Sequence, residues 1–135
     1  MELTDKERRL LALHYVFPVP LNRLGKLFEK DPDLDQLFTY RAKELTELLN
    51  IPMAKALKLK ENLQRNMDTP YDELYERHAI FPIPFTHSLY PEKLRLLIDP
   101  PAVLYTKGHL QLLRDRWYIA IIGSRKATAY SKKAL

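Results

Sequence analysis

At 135 residues the chain has room for one ordinary domain or two small ones, and its 46% hydrophobic and 29% charged residues are the make-up of a folding chain rather than a disordered one. It has no cysteine, which excludes disulfides and thiolate metal sites; its first residues are charged and do not read as a signal peptide, and no stretch nears the roughly 20 apolar residues of a membrane span, so the expectation is a soluble, cytoplasmic protein. The net charge of +5 is unevenly spread: residues 107–135 hold Lys107, Arg114, Arg116, Arg125, Lys126, Lys132 and Lys133 against Asp115 alone, so the whole positive excess lies there, where it can attract a polyanion.

The first half reads as short helices. Thr4-Asp5-Lys6-Glu7 has the form of a capping box, and Leu10, Leu11, His14 and Tyr15 follow on one helical face. Phe17-Pro18-Val19-Pro20 must break that helix, because proline lacks the amide hydrogen and pushes its predecessor out of the helical region. Leu21, Leu24, Leu27 and Phe28 recur at spacings of three and four until Asp31-Pro32-Asp33, and a further short helix is expected over residues 34–38. Residues 42–65 form the clearest unit: Leu45, Leu48 and Leu49 on one helix, Asn50-Ile51-Pro52 as a tight connection, then Ala54, Leu57 and Leu63 on the next. The unit looks like a degraded helix-hairpin-helix, in which Asn50 and Pro52 stand at the two glycine positions of a phosphate-binding turn. Pro52 has no amide to donate, so packing is favoured over DNA contact for this hairpin.

A boundary is expected near residues 66–70, where the helical period stops at Asp68-Thr69-Pro70. Beyond it, residues 79–85 read as a strand that Pro82 and Pro84 confine to an edge. Pro91 suits the first position of a short helix carrying Leu94, Leu97 and Ile98, and after Asp99-Pro100-Pro101 the run Val103-Leu104-Tyr105-Thr106 reads as a strand closed by Gly108. Residues 110–113 make one helical turn. Tyr118-Ile119-Ala120-Ile121-Ile122 has the apolar, β-branched character of a strand buried on both faces of a parallel sheet, with a helix beginning near Thr128. Such a sheet needs further βα units, so the chain reads as a fragment of a longer protein. The words Phe17-Pro-Val-Pro20 and Phe81-Pro-Ile-Pro84 are alike but too short to define a repeat.

Gly123-Ser124-Arg125 stands between that buried strand and the following helix, where free amides and a helix dipole face an anion. Gly123 permits close backbone approach, Ser124 offers a hydroxyl, and Arg125 can fork onto phosphate oxygens, with Lys126 beside it. Arg125 and Thr128 occupy the other glycine positions of a dinucleotide fingerprint, which disfavours a nicotinamide enzyme. Tyr130 is the better base-stacking candidate, whereas Tyr105 and Tyr118 are expected in the core. His14, His78, His87 and His109 show no metal-ligand pairing, Ser124 has no evident His or Asp partner, and neither a cofactor, a metal nor a catalytic residue is expected.

The run Tyr90-Pro91, Leu94, Asp99-Pro100-Pro101, Val103-Leu104-Tyr105, Lys107-Gly108, Ile119-Ala120-Ile121-Ile122-Gly123-Ser124-Arg125, Ala127-Thr128 and Tyr130 resembles the opening of the DNA-processing protein A (DprA, or Smf) domain. The helical half resembles that family's small N-terminal SAM-like domain. Two departures stand out: His87 where the family usually has aspartate before the Tyr-Pro pair, and Ser131 where it commonly has glycine. The resemblance implies an all-helical SAM-like domain over residues 1–66, followed over 67–135 by the incomplete beginning of a Rossmann-like α/β domain. It implies single-stranded DNA binding through Gly123, Ser124, Arg125, Lys126 and Tyr130, and a homodimer that brings RecA recombinase onto incoming strands in natural transformation. The alternative is a Rossmann-like enzyme hydrolysing nucleoside monophosphates, which needs a second glycine-rich turn and a catalytic glutamate after residue 135. A third is that the helical half is a protein-docking module.

Overall fold

The computed structural model describes residues 3–114. Its first helix, α1 (Asp5–Val16), starts as the capping box requires: the Glu7 amide donates to Thr4 Oγ1 at 3.1 Å and the Thr4 amide to Glu7 Oε1 at 3.0 Å. It buries Leu10, Leu11, Ala12 and Leu13 and leaves Tyr15 exposed, then stops at Phe17 ahead of Pro18. The expected second helix is divided into a 3-10 turn, Leu21–Leu24, and α2 (Gly25–Lys30), which bury Leu24 and Leu27.

Residues 34–38 do not form the expected helix but a series of turns, with Leu34 at φ 55°. The cause is Asp31. Its buried carboxylate accepts the amides of Asp35 (3.0 Å) and Gln36 (2.9 Å) and the hydroxyl of Tyr40 (3.0 Å), so side-chain bonds replace the helical ladder while Leu34 and Leu37 still reach the core. Burial, then the bond to Asp31, pushes the Tyr40 hydroxyl up to about 12.

Helices α3 (Ala42–Leu49) and α4 (Met53–Arg65) form the hairpin read from the sequence. Asn50 ends α3 in the left-handed region (φ 53°), a conformation asparagine tolerates, and Pro52 precedes the first turn of α4. The buried face of α4 is Ala56, Leu59 and Leu63, at spacings of three and four, whereas Ala54 and Leu57 point outward; only Leu63 of the expected set packs inward. Helix α5 (Tyr71–Arg77), not anticipated, follows Pro70 and buries Tyr71.

Strands β1 (Phe81–Pro84) and β2 (Val103–Thr106) pair antiparallel, Phe81 opposite Thr106 and Pro84 opposite Val103. Among the described residues the sheet has two strands, both of them edges, so Pro82 and Pro84 are tolerated as expected. The other Phe-Pro word meets the same stretch: Pro20 bridges Pro101 antiparallel, and the Leu21 amide donates to Pro100 O at 2.9 Å. Helix α6 (Glu92–Arg95) is a single turn capped by Pro91; Leu97 and Ile98, expected on it, lie beyond its end, exposed with Leu96, because Asp99-Pro100-Pro101 draws the chain back toward β2. Gly108 (φ 105°) turns the chain after β2 into a 3-10 turn, Leu110–Arg114. One apolar cluster runs from Leu3 through the helices to Ala102 and Val103, so α1 packs on α4, α5 and both strands. The result is a mostly helical body closed by a short antiparallel sheet.

Candidate nucleic-acid interface

Gly123, Ser124, Arg125, Lys126 and Tyr130 lie outside the described residues, as do the strand expected over 118–122 and the helix near Thr128. What is described is the frame leading toward them, built by the same words that carried the family resemblance. Buried Tyr90 donates its hydroxyl to Pro101 O at 2.7 Å. The Phe85 amide donates to Ala102 O at 3.0 Å. Arg95 lies 5.3 Å from the Tyr90 ring centre, pairs with Glu92 and donates to Phe85 O (2.7 Å) and His87 O (3.3 Å), so its charge is spent on the loop. His87, the departure from the family pattern, has a local role here: its Nδ1 accepts the Leu89 amide at 3.1 Å. These bonds fix Pro100-Pro101 and β2 between the 17–21 segment and the 85–91 loop, and thereby set the direction in which Lys107-Gly108 leaves the sheet.

An aromatic cluster links the helices to β2. Tyr105 and His14 Nδ1 share a hydrogen bond of 2.9 Å, and the Tyr105 ring packs 5.2 Å from that of Tyr75. Tyr105 is therefore not the core residue expected: its hydroxyl end is buried against His14 and Tyr75 while 37% of its surface remains exposed. Burial, then the Tyr75 bond, pushes its hydroxyl far above the usual tyrosine range, and burial lowers the His14 pKa. The Tyr15 ring packs tilted, 5.0 Å from that of Tyr71, and both line a cavity of about 170 Å³.

Elsewhere most arginines serve structure. Arg8 pairs with Asp72 (3.0 Å) and Asp5 (3.4 Å), Arg9 with Asp35 (3.3 Å), and Arg23 donates to Leu49 O (3.1 Å) at the end of α3. On α4 cations are in excess: Lys55, Lys58, Lys60 and Arg65 stand against Glu61 alone, and Glu61 is taken by Arg65 at 2.7 Å. Lys55 and Lys58 line a cavity of about 290 Å³ between α4 and the end of α1, and neither enters an ion pair among the described residues. Counting charge over the first 106 residues hid this local excess; the spacing of three between two lysines on one helix was the signal available. Among the described residues no group of three or more His, Asp or Glu side chains is placed to hold a metal, and no helix is long and apolar enough to cross a membrane.

Residues 82–135, which include the tethered 82–108 frame, match the family described as DNA recombination-mediator protein A. The chain is 41% identical over 61 residues to the DNA processing protein DprA of Bacillus subtilis (strain 168), an alignment covering 45% of this chain and 20% of that protein. Over these residues the chain is similar to the DprA/Smf family. It spans about a fifth of the length of the curated relative it matches. No solved structure matches it significantly.

Proposed function

We propose that this chain is part of a single-strand DNA-binding recombination mediator without catalytic activity of its own. In this reading residues 1–66 form a SAM-like helical domain and residues 67–135 begin a Rossmann-like domain. Gly123, Ser124, Arg125, Lys126 and Tyr130 hold the DNA. The observation that carries the reading is the family match over residues 82–135, which includes the Gly123-Ser124-Arg125 turn. The cationic stretch from Lys107 onward supports it, since neutralising phosphates with lysine and arginine supplies most of the affinity for a nucleic-acid backbone. The intact protein would act as a homodimer in the cytoplasm, delivering RecA onto single strands taken up in natural transformation.

Arg125→Ala in the intact protein tests the site. Loss of a charge-assisted, forked phosphate contact costs on the order of 1.5–3 kcal/mol, so affinity for oligo-dT should fall about tenfold or more. Arg125→Lys should recover only part of it, equally for oligo-dT and a mixed sequence, because phosphate contacts carry no base information. Anisotropy measures all three proteins; a folded Arg125→Ala protein with wild-type affinity removes the residue from the site.

A further inference from the structure

The cavity between α4 and the end of α1 combines two features that the packing of the helices does not require. Its floor is apolar, with Phe17, Ile51 and Leu59, and its rim carries Lys55, Lys58 and Asn62 at spacings of three and four along one face of α4. No acidic residue lines it. Both lysines are exposed and outside every ion pair of the described residues, as are Lys26 and Lys43, but of these four only Lys55 and Lys58 rim this hollow. Unmatched cations around an apolar hollow of about 290 Å³ complement a ligand that carries anionic groups beside a flat apolar one. At the low end of the ligand-pocket range, the hollow suits one base with its sugar rather than a larger body.

We propose that this face of α4 is a second contact for single-stranded nucleic acid, with Lys55 and Lys58 on backbone phosphates, Asn62 on the sugar or base edge, and one unstacked base over the apolar floor. The inference rests on the single-strand reading above and extends it from the Gly123-Ser124-Arg125 turn to the helical half. A single strand fits where a duplex does not, because its bases are free to leave the stack and enter a hollow, while a duplex presents mainly its backbone. The contact differs from the glycine-turn mode considered for the α3–α4 connection: it uses side chains of α4 and asks nothing of Pro52, which has no amide hydrogen.

The test is the double variant Lys55→Gln/Lys58→Gln in the intact protein, titrated with labelled oligo-dT over a range of salt concentrations. Each phosphate contact on a single strand contributes about 0.7 to the slope of log affinity against log salt, so the slope should flatten by about 1.4 and affinity near 0.1 M salt should fall about 25-fold. Lys43→Gln, a change at an exposed lysine of α3 outside the cavity, should cost far less. Wild-type affinity and slope in the double variant, with the parent protein binding oligo-dT, overturn the groove and leave the Arg125 site standing. A loss of affinity with an unchanged slope also overturns it, since the lysines would then act on structure rather than on phosphate. An equal loss on duplex DNA rejects the unstacked base, and failure of the parent protein to bind oligo-dT removes both readings together.

Discussion

Replacing Asp31 with alanine removes the acceptor around which residues 31–40 are wound. The carboxylate is buried and takes three bonds, from the Asp35 and Gln36 amides and from the Tyr40 hydroxyl. A bond to a charged group contributes about 1.5–3 kcal/mol, and the three are not additive because they share one carboxylate, so Asp31→Ala should cost roughly 3–5 kcal/mol. That is a large part of the roughly 5–15 kcal/mol that holds a domain of this size together. Tyr40→Phe should cost only about 1–2 kcal/mol, since Asp31 Oδ2 keeps the Gln36 amide. Urea unfolding followed by circular dichroism gives both values, and the double variant gives the coupling, expected at about 1 kcal/mol. Absorbance titration supplies an independent check: without Asp31 the Tyr40 hydroxyl should ionise below its value of about 12, although burial, the larger cause, still holds it above ordinary tyrosine. An Asp31→Ala protein within 1 kcal/mol of wild type would refute the claim that this carboxylate, rather than the leucines it positions, organises the turn.

Thr4→Ala removes the side-chain acceptor of the Glu7 amide and should lower stability by about 1 kcal/mol in the same urea assay, with no effect on DNA affinity. His14 gives a pH dependence. Because burial lowers its folded-state pKa below the usual 6.5, the unfolded chain takes up a proton first as the pH falls. Its contribution is therefore complete above about pH 6.5, is lost as the pH drops through that value, and levels off below the folded pKa. Comparing wild type with His14→Gln between pH 8 and pH 5 should show this slope vanish; an identical slope in both would assign it to other groups.

The parts of the fold legible in the sequence are those where one local interaction decides. Thr4 and Glu7 are enough to start α1, Pro18 to stop it, and the Val103–Thr106 run before Gly108 to make β2. The α3–α4 hairpin was readable because its two apolar periods break at Asn50-Ile51-Pro52. The buried face of α4 was not, since Ala54, Leu57 and Leu63 fit a helical period nearly as well as Ala56, Leu59 and Leu63, and only contact with α1 and α3 selects the second set. The 34–38 helix fails because the Asp31 side chain takes amides four and five residues on, a local competition with the helical ladder that apolar spacing does not register. Helix α5 was hidden because, of its residues, only Tyr71 is buried, which leaves almost no apolar stripe to detect. Of the candidate nucleic-acid interface, the family words can be read and their frame is visible in the Tyr90–Pro101 bond, but the charge on α4 emerges only where Lys55 and Lys58 rim one hollow.

The central claim, that the protein binds DNA as a single strand through its backbone, is tested most directly by competition. Labelled oligo-dT bound to the intact protein is challenged with unlabelled single strand or with duplex of equal length, at two salt concentrations. The account predicts displacement by the single strand at much lower concentration than by the duplex, and weaker binding at the higher salt as counterions are no longer usefully released. Equal displacement by duplex, or an affinity indifferent to salt, would contradict it.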